Sequence, residues 1–226
     1  MVEAQHRAST MRITDTLQEQ EILERLIEEV KPPVPPECRG LHYLLYTPFR
    51  YAPYPLGSRF RRARQREGAF YAAERVETAI AETAFYRLLF YLEAPAARLP
   101  SRPTEHTAFR AGAATKRLID LTAPPLDRDA AIWRHPVDYG PCQDLADAAR
   151  TARMGAIRYT SVRDPEQRAN LALLSPKAFA ASAPDVTETW RVFVRRDAVQ
   201  AWREFPDALR LEFARADFAT DPRVAA

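Results

Sequence analysis

Residues 70–93 read FYAAERVETAIAETAFYRLLFYLE, and the way this stretch divides decides the fold. "AFYAA", starting at Ala69, has the aromatic and small residues of a short strand, and the apolar run from about Glu74 to Glu93 predicts a long helix. One residue does not fit that helix. Glu82 stands between Ala81 and Thr83, with Ala79, Ile80, Phe85 and Tyr86 around it. A carboxylate on so apolar a face needs either solvent or a defined partner.

Outward from this unit, the pattern is mixed. "LHYLLYT", Leu41 to Thr47, predicts a strand, followed by a proline-broken, strongly basic stretch, "PFRYAPYPLGSRFRRARQREG". Further strands are predicted at Lys116–Thr122, Ala156–Val162, Asn170–Leu174 and Glu188–Arg195, the second and the last of them rich in β-branched or aromatic residues. Cys142–Met154 reads as a helix, "DAVQAWREF" as a short closing helix, and the tail from Arg215 is weakly specified. Strands and helices interleave without regular βαβ repetition, which predicts an α+β domain.

Toward the N-terminus, "TLQEQEILERLIEEV" places Leu17, Ile22, Leu23, Leu26 and Ile27 at helical spacing opposite an acidic face. This amphipathic helix fits packing onto the domain and docking of a partner equally well. It stops at "KPPVPP", where proline removes amide donors and favours an extended path. The expected division is a helical arm with a proline-rich linker over residues 1–40 and a catalytic domain over 41–226.

Composition narrows the function. A chain of 226 residues with 46% apolar and 28% charged residues suits one soluble domain. The absence of a secretory pattern and of a long apolar run predicts a cytoplasmic protein. Cys38 and Cys142 form no CxxC pair, and His6, His42, His106 and His135 have no HExxH spacing, so neither a disulfide framework nor a metal site is expected. Glycine is scarce, and neither GxGxxG nor GxxxxGK[ST] occurs, which disfavours a Rossmann site and a Walker-type phosphate loop. The net charge of +3 does not by itself call for a polyanion partner.

Four polar residues stand at the edges of these elements: Arg59 in "GSRFRR", Tyr71 on the short strand, Glu82 on the helix and Ser161 at the end of "RYTS". Gly57, just before Arg59, can take a backbone conformation that close approach to a ligand often requires. Taken singly, each residue has an ordinary explanation as a solvated arginine, a core aromatic, a helix-flank acid or a turn serine. As an ordered set they are more informative.

The segments "GSRFRR", "FYAAERVETAIAE" and "YTSVRDPEQRANLALLSP" resemble the RES-domain family, the toxins of a class of bacterial toxin–antitoxin modules, over roughly Leu41 to Arg195. Phe60 and Arg61 stand where the family usually has Trp-Asn, and Ser175-Pro176 where Asn-Pro is common. The resemblance implies an ADP-ribosyltransferase-like mixed β core with flanking helices, and NAD as substrate. It carries the family's functional positions onto Arg59, Tyr71, Glu82 and Ser161, with Arg50 as a second phosphate-contacting candidate. Glu82 would stabilise positive charge on the ribose as nicotinamide leaves, and Arg59 would hold phosphate oxygens. Tyr71 would bracket the nicotinamide, and Ser161 would bond its amide or the adjacent ribose.

Inorganic phosphate as co-substrate would make the enzyme an NAD phosphorylase, water a glycohydrolase, and a protein acceptor a mono-ADP-ribosyltransferase. No metal is expected. The implied partners are an antitoxin with a helix-turn-helix part and a second toxin copy, with neither membrane nor direct nucleic acid. A competing reading starts from "RFRRARQR", where five arginines in eight residues could bind nucleic-acid phosphates or an acidic partner segment.

Overall fold

A computed structural model describes residues 2–3, 13–51, 56–94 and 96–225. The chain folds as α+β, with two sheets and a long helix at their junction. Strands β1 (Val2–Glu3), β3 (Thr104–Arg110), β7 (Val186–Val194), β8 (Ala198–Arg203) and β9 (Leu209–Ala214) form an antiparallel sheet in the order β1-β3-β7-β8-β9. The second sheet runs β2 (Phe70–Ala73), β6 (Ala169–Leu173), β5 (Ala156–Thr160) and β4 (Leu118–Asp120), with only the β4–β5 pair parallel.

The expected strand-to-helix unit is present as β2 followed by α3 (Val76–Glu93). Ile80, Ala81, Ala84, Phe85, Leu88 and Leu89 of α3 are buried against Trp190, Val192, Val194, Val199, Ala201 and Phe213 of the first sheet. Each large side chain in this layer contributes about 1.5–3 kcal/mol on burial, so the packing fixes which face of α3 points inward. Helix α5 (Gly140–Thr151) covers one face of the second sheet, with Cys142, Ala146 and Ala149 against Phe60, Ile157, Tyr159 and Ala172.

Two elements differ from the sequence expectation. Leu41–Thr47, expected as a strand, lies largely in α2 (Tyr43–Arg50), which buries Leu45 and Phe49 four residues apart and is capped by His42 Nδ1 accepting from Leu44 N at 3.3 Å. Pro48 sits inside this helix and forfeits only one intrahelical bond. "DAVQAWREF", expected as a helix, contains β8. There Val199 and Ala201 face α3 while backbone pairing to β7 and β9 overrides the helical leaning of Ala and Gln.

Helix α1 spans Leu17–Val30, with a capping box in which Glu19 N donates to Thr16 Oγ1 at 3.1 Å and Thr16 N donates to Glu19 Oε2 at 3.2 Å. Leu17, Ile22, Leu26, Ile27 and Val30 on this helix are all exposed. Within the proline-rich segment that follows, Cys38 is fully buried beside Leu45, Phe49, Phe70 and Leu173. Two short helices complete the set: α4 (Ala130–Trp133) and α6 (Pro222–Ala225). Among the described residues no helix is long and apolar enough to cross a membrane.

Candidate active site

The period of two along a strand assembles one side of the site. Tyr71 pairs with Ala172, Ala172 with Ile157, and Asn170 with Tyr159. Tyr71, Asn170 and Tyr159 therefore share one face of the second sheet, and Ser161 follows Tyr159 on the same side just beyond the end of β5. Helix α3 supplies Glu82 to this face.

Glu82 is half-buried and has two donors on the same oxygen. Ser161 Oγ and Asn170 Nδ2 each donate to Oε1 at 2.7 Å. Among the described residues, Oε2 has no hydrogen-bond partner. The donors are themselves fixed: Ser161 is fully buried, and its Oγ accepts from Arg163 N at 3.2 Å and Asp164 N at 3.1 Å. The serine's one proton is thus committed to Glu82, where the resemblance had it reaching the substrate. Asn170 is 3% exposed, and its Oδ1 is buried without a hydrogen-bond partner.

Arg59 enters from a tight turn. Ser58 N donates to Arg61 O at 2.7 Å and Arg61 N to Ser58 O at 3.2 Å, which closes residues 58–61 on themselves. Gly57 precedes the turn at φ +71°, and a Cβ there would lie 2.6 Å from Arg61 O. The close approach that requires glycine is thus to the protein's own backbone, not to a ligand. Tyr71 secures both flanks of Arg59: its hydroxyl accepts from Phe60 N at 2.9 Å and shares a 2.8 Å hydrogen bond with Ser58 Oγ.

The Arg59 side chain is buried, its guanidinium 4.6 Å from the centre of the Tyr139 ring. Its Nη1 donates to Trp133 O at 2.8 Å and lies 3.9 Å from Cys142 Sγ. Nε and Nη2 have no hydrogen-bond partner among the described residues.

The site residues share one electrostatic neighbourhood. Burial, aided by Glu82, Tyr71 and Tyr86 against the opposing charge of Arg59, pushes the Tyr159 phenol well above its ordinary pKa. Tyr71 is likewise raised, chiefly by desolvation of its hydroxyl, and stays neutral at physiological pH, although the residue as a whole is 38% exposed. It can therefore present a ring face, but it is no proton acceptor. Cys142 is also raised by burial, against the lowering effect of Arg59, and is a protonated thiol rather than a nucleophile.

Arg59, Tyr71, Glu82 and Ser161 are thus brought together. Arg50 has other partners: its Nε donates to Pro32 O at 2.5 Å and its Nη2 pairs with Glu28 at 2.7 Å, tying α1 and the proline-rich segment to α2. Sequence reasoning missed Asn170, Tyr139 and Tyr159. Asn170 did leave a signal, as the one polar side chain in the otherwise apolar run "ANLALL". Tyr139 left none, because its contact with Arg59 joins segments 80 residues apart.

The basic run loses most of its free charge. Arg61 donates to the carbonyls of Tyr51, Gln65 and Arg66, and Arg62 pairs with Asp144 and Asp147 of α5. With Arg59 buried, only Arg64 and Arg66 of the five are exposed, which removes the continuous patch that phosphate-backbone binding requires.

A search of curated proteins finds no match to this chain. The family comparison is decisive: the RES domain profile matches residues 34–219, extending the resemblance read from sequence at both ends, and the chain belongs to the RES domain family.

Proposed function

We propose that this chain is the toxin component of a toxin–antitoxin module and that it cleaves the nicotinamide–ribose bond of NAD, passing the ADP-ribosyl group to phosphate or water. Its family is one associated with NAD-related toxins of such modules. The observation that carries the reading is the Glu82 carboxylate, locked through Oε1 by Ser161 and Asn170 while Oε2 has no partner among the described residues.

In the reaction, the bond between ribose C1′ and the nicotinamide nitrogen breaks with both electrons leaving on nicotinamide, which departs neutral. Positive charge develops on the sugar, as in glycoside cleavage, and a fixed carboxylate beside it lowers the barrier. An oxygen of phosphate or water then bonds to C1′, and a water nucleophile releases its proton. Arg59 offers its two remaining donor groups to phosphate oxygens of the dinucleotide. Tyr71 presents its ring to the nicotinamide, and its hydroxyl keeps the Arg59 turn in place. Ser161 acts on Glu82 rather than on the substrate.

The same reading makes a helix-turn-helix antitoxin the partner that blocks the site, a toxin homodimer the unit it binds, and the cytoplasm, where NAD is available, the place of action. Purified protein incubated with NAD, with and without inorganic phosphate, tests the chemistry when products are resolved by NMR or mass spectrometry. Glu82→Gln should retain the fold and lose about 10²–10³-fold in kcat, the scale of a lost transition-state contact. A phosphorylated ADP-ribose indicates phosphorolysis, free ADP-ribose indicates hydrolysis, and radiolabel entering protein indicates a mono-ADP-ribosyltransferase. Intact NAD after incubation with folded wild type, or an unchanged rate in the variant, sinks the proposal.

A further inference from the structure

The loop that carries Ser161 is held by a buried ion pair from the far end of the chain. Arg163, 2% exposed, pairs through Nη2 with Asp221 Oδ2 at 2.8 Å, and Asp221 is fully buried. The same nitrogen donates to Pro136 O at 2.7 Å, and the guanidinium lies 3.8 Å from the centre of the Phe85 ring.

Arg163 therefore touches three parts of the site at once. Its backbone N donates to Ser161 Oγ. Phe85 is on α3, less than one turn from Glu82, and Pro136 belongs to the segment that leads to Tyr139 over Arg59. Asp221 is anchored in turn by Arg223, whose Nε and Nη2 reach its two oxygens at 3.0 and 2.8 Å. Val224 beside it is buried in the α3 core. Both Asp221 and Arg223 lie beyond residue 219, where the family match ends.

We propose that Asp221 is a positioning residue for the active site: by neutralising Arg163 it holds the 161–164 turn in the geometry that lets Ser161 fix Glu82. The inference rests on the proposed function for its kinetic consequence, but not for its structural one. A buried arginine needs a counter-charge, and Arg163 Nη1 is already buried without a hydrogen-bond partner. Without Asp221 the guanidinium has to seek water, and its backbone moves with it.

The test uses Asp221→Asn and the double variant Arg163→Met/Asp221→Leu, which replaces the ion pair by apolar groups and is expected to keep the fold where the single variant does not. Where Asp221→Asn folds, its kcat for NAD cleavage should fall about tenfold to a hundredfold, with KM within about twofold of wild type, as expected for a misplaced catalytic group. The double variant, which has no guanidinium left to neutralise, should recover most of that loss. Independently of activity, hydrogen exchange at the Arg163 and Asp164 amides of Asp221→Asn should accelerate selectively, while α5 amides keep their wild-type protection.

Asp221→Asn with the kcat and amide protection of wild type, or a folded double variant that loses about tenfold or more in kcat, overturns the inference. If wild type leaves NAD intact, the functional reading fails and the exchange measurement decides the brace alone. Unchanged protection then refutes it, and selective loss supports it.

Discussion

A carboxylate with both donors on one oxygen has its rotation fixed and its second oxygen without a protein donor, and among the described residues this is the state of Glu82. Ser161→Ala and Asn170→Ala each remove one of the two constraints. Each should lower kcat about tenfold or more with little change in KM, and the double variant should lose less than the product of the two, because the residues act on one atom. Their stability costs should differ. Ser161→Ala strands the buried Arg163 and Asp164 amides and should cost about 1–3 kcal/mol, whereas Asn170→Ala also removes an unsatisfied Oδ1 and should cost about 1 kcal/mol or less. Denaturant titration beside steady-state kinetics checks both, and equal stability losses would contradict the argument. At this scale Glu82 was legible because an acid inside an apolar helix is anomalous by itself. Asn170 was equally anomalous in its strand but short enough to pass for a ladder residue.

At the scale of elements, the turn that delivers Arg59 depends on backbone geometry more than on any side chain. Gly57 and Gly40 both have positive φ, at +71° and +83°, but a Cβ at Gly40 meets nothing within 4 Å while one at Gly57 meets three backbone atoms below 3.0 Å. Gly57→Ala should therefore destabilise by clearly more than 1 kcal/mol and lower kcat/KM, while Gly40→Ala should pay the conformational strain alone and keep its activity. Thermal melts of the pair, read against turnover, decide it; matching losses would mean that the clash is relieved elsewhere. The β2–α3 unit could be read from sequence because its apolar residues are numerous and its strand is short. Helix α2 could not, since Tyr-Leu-Leu-Tyr fits either period and Pro48 suggests an end before Phe49 completes the i, i+4 pair with Leu45. Strand β8 was hidden for another reason: Ala and Gln lean toward helix, and pairing with β7 and with β9, the latter unpredicted, makes an extended path the better one.

Across the whole molecule, non-local charge pairs do the joining that sequence cannot display. Arg158 on β5 bonds Glu74 after β2 and Asp120 on β4, and Asp221 joins the tail to the loop after β5. All three carboxylates are held below their ordinary pKa values. For Glu74 the hydrogen bond from Arg158 is the main cause. For Asp120, burial opposes the shift but the Thr122 and Arg158 contacts together outweigh it, and for Asp221 the contacts with Arg223 and Arg163 outweigh burial in the same way. A carboxylate whose folded pKa is depressed stabilises the fold above its unfolded value, about 3.9 for Asp and 4.3 for Glu, and that contribution is lost as pH falls through the folded pKa. The melting temperature should therefore drop progressively as pH falls below about 4. Asp120→Asn should lower stability at neutral pH and flatten this acid slope, because one of the titrating groups is gone. Calorimetry of wild type and variant between pH 3 and pH 7 tests both claims, and parallel curves would show that Asp120 does not join the second sheet through its charge.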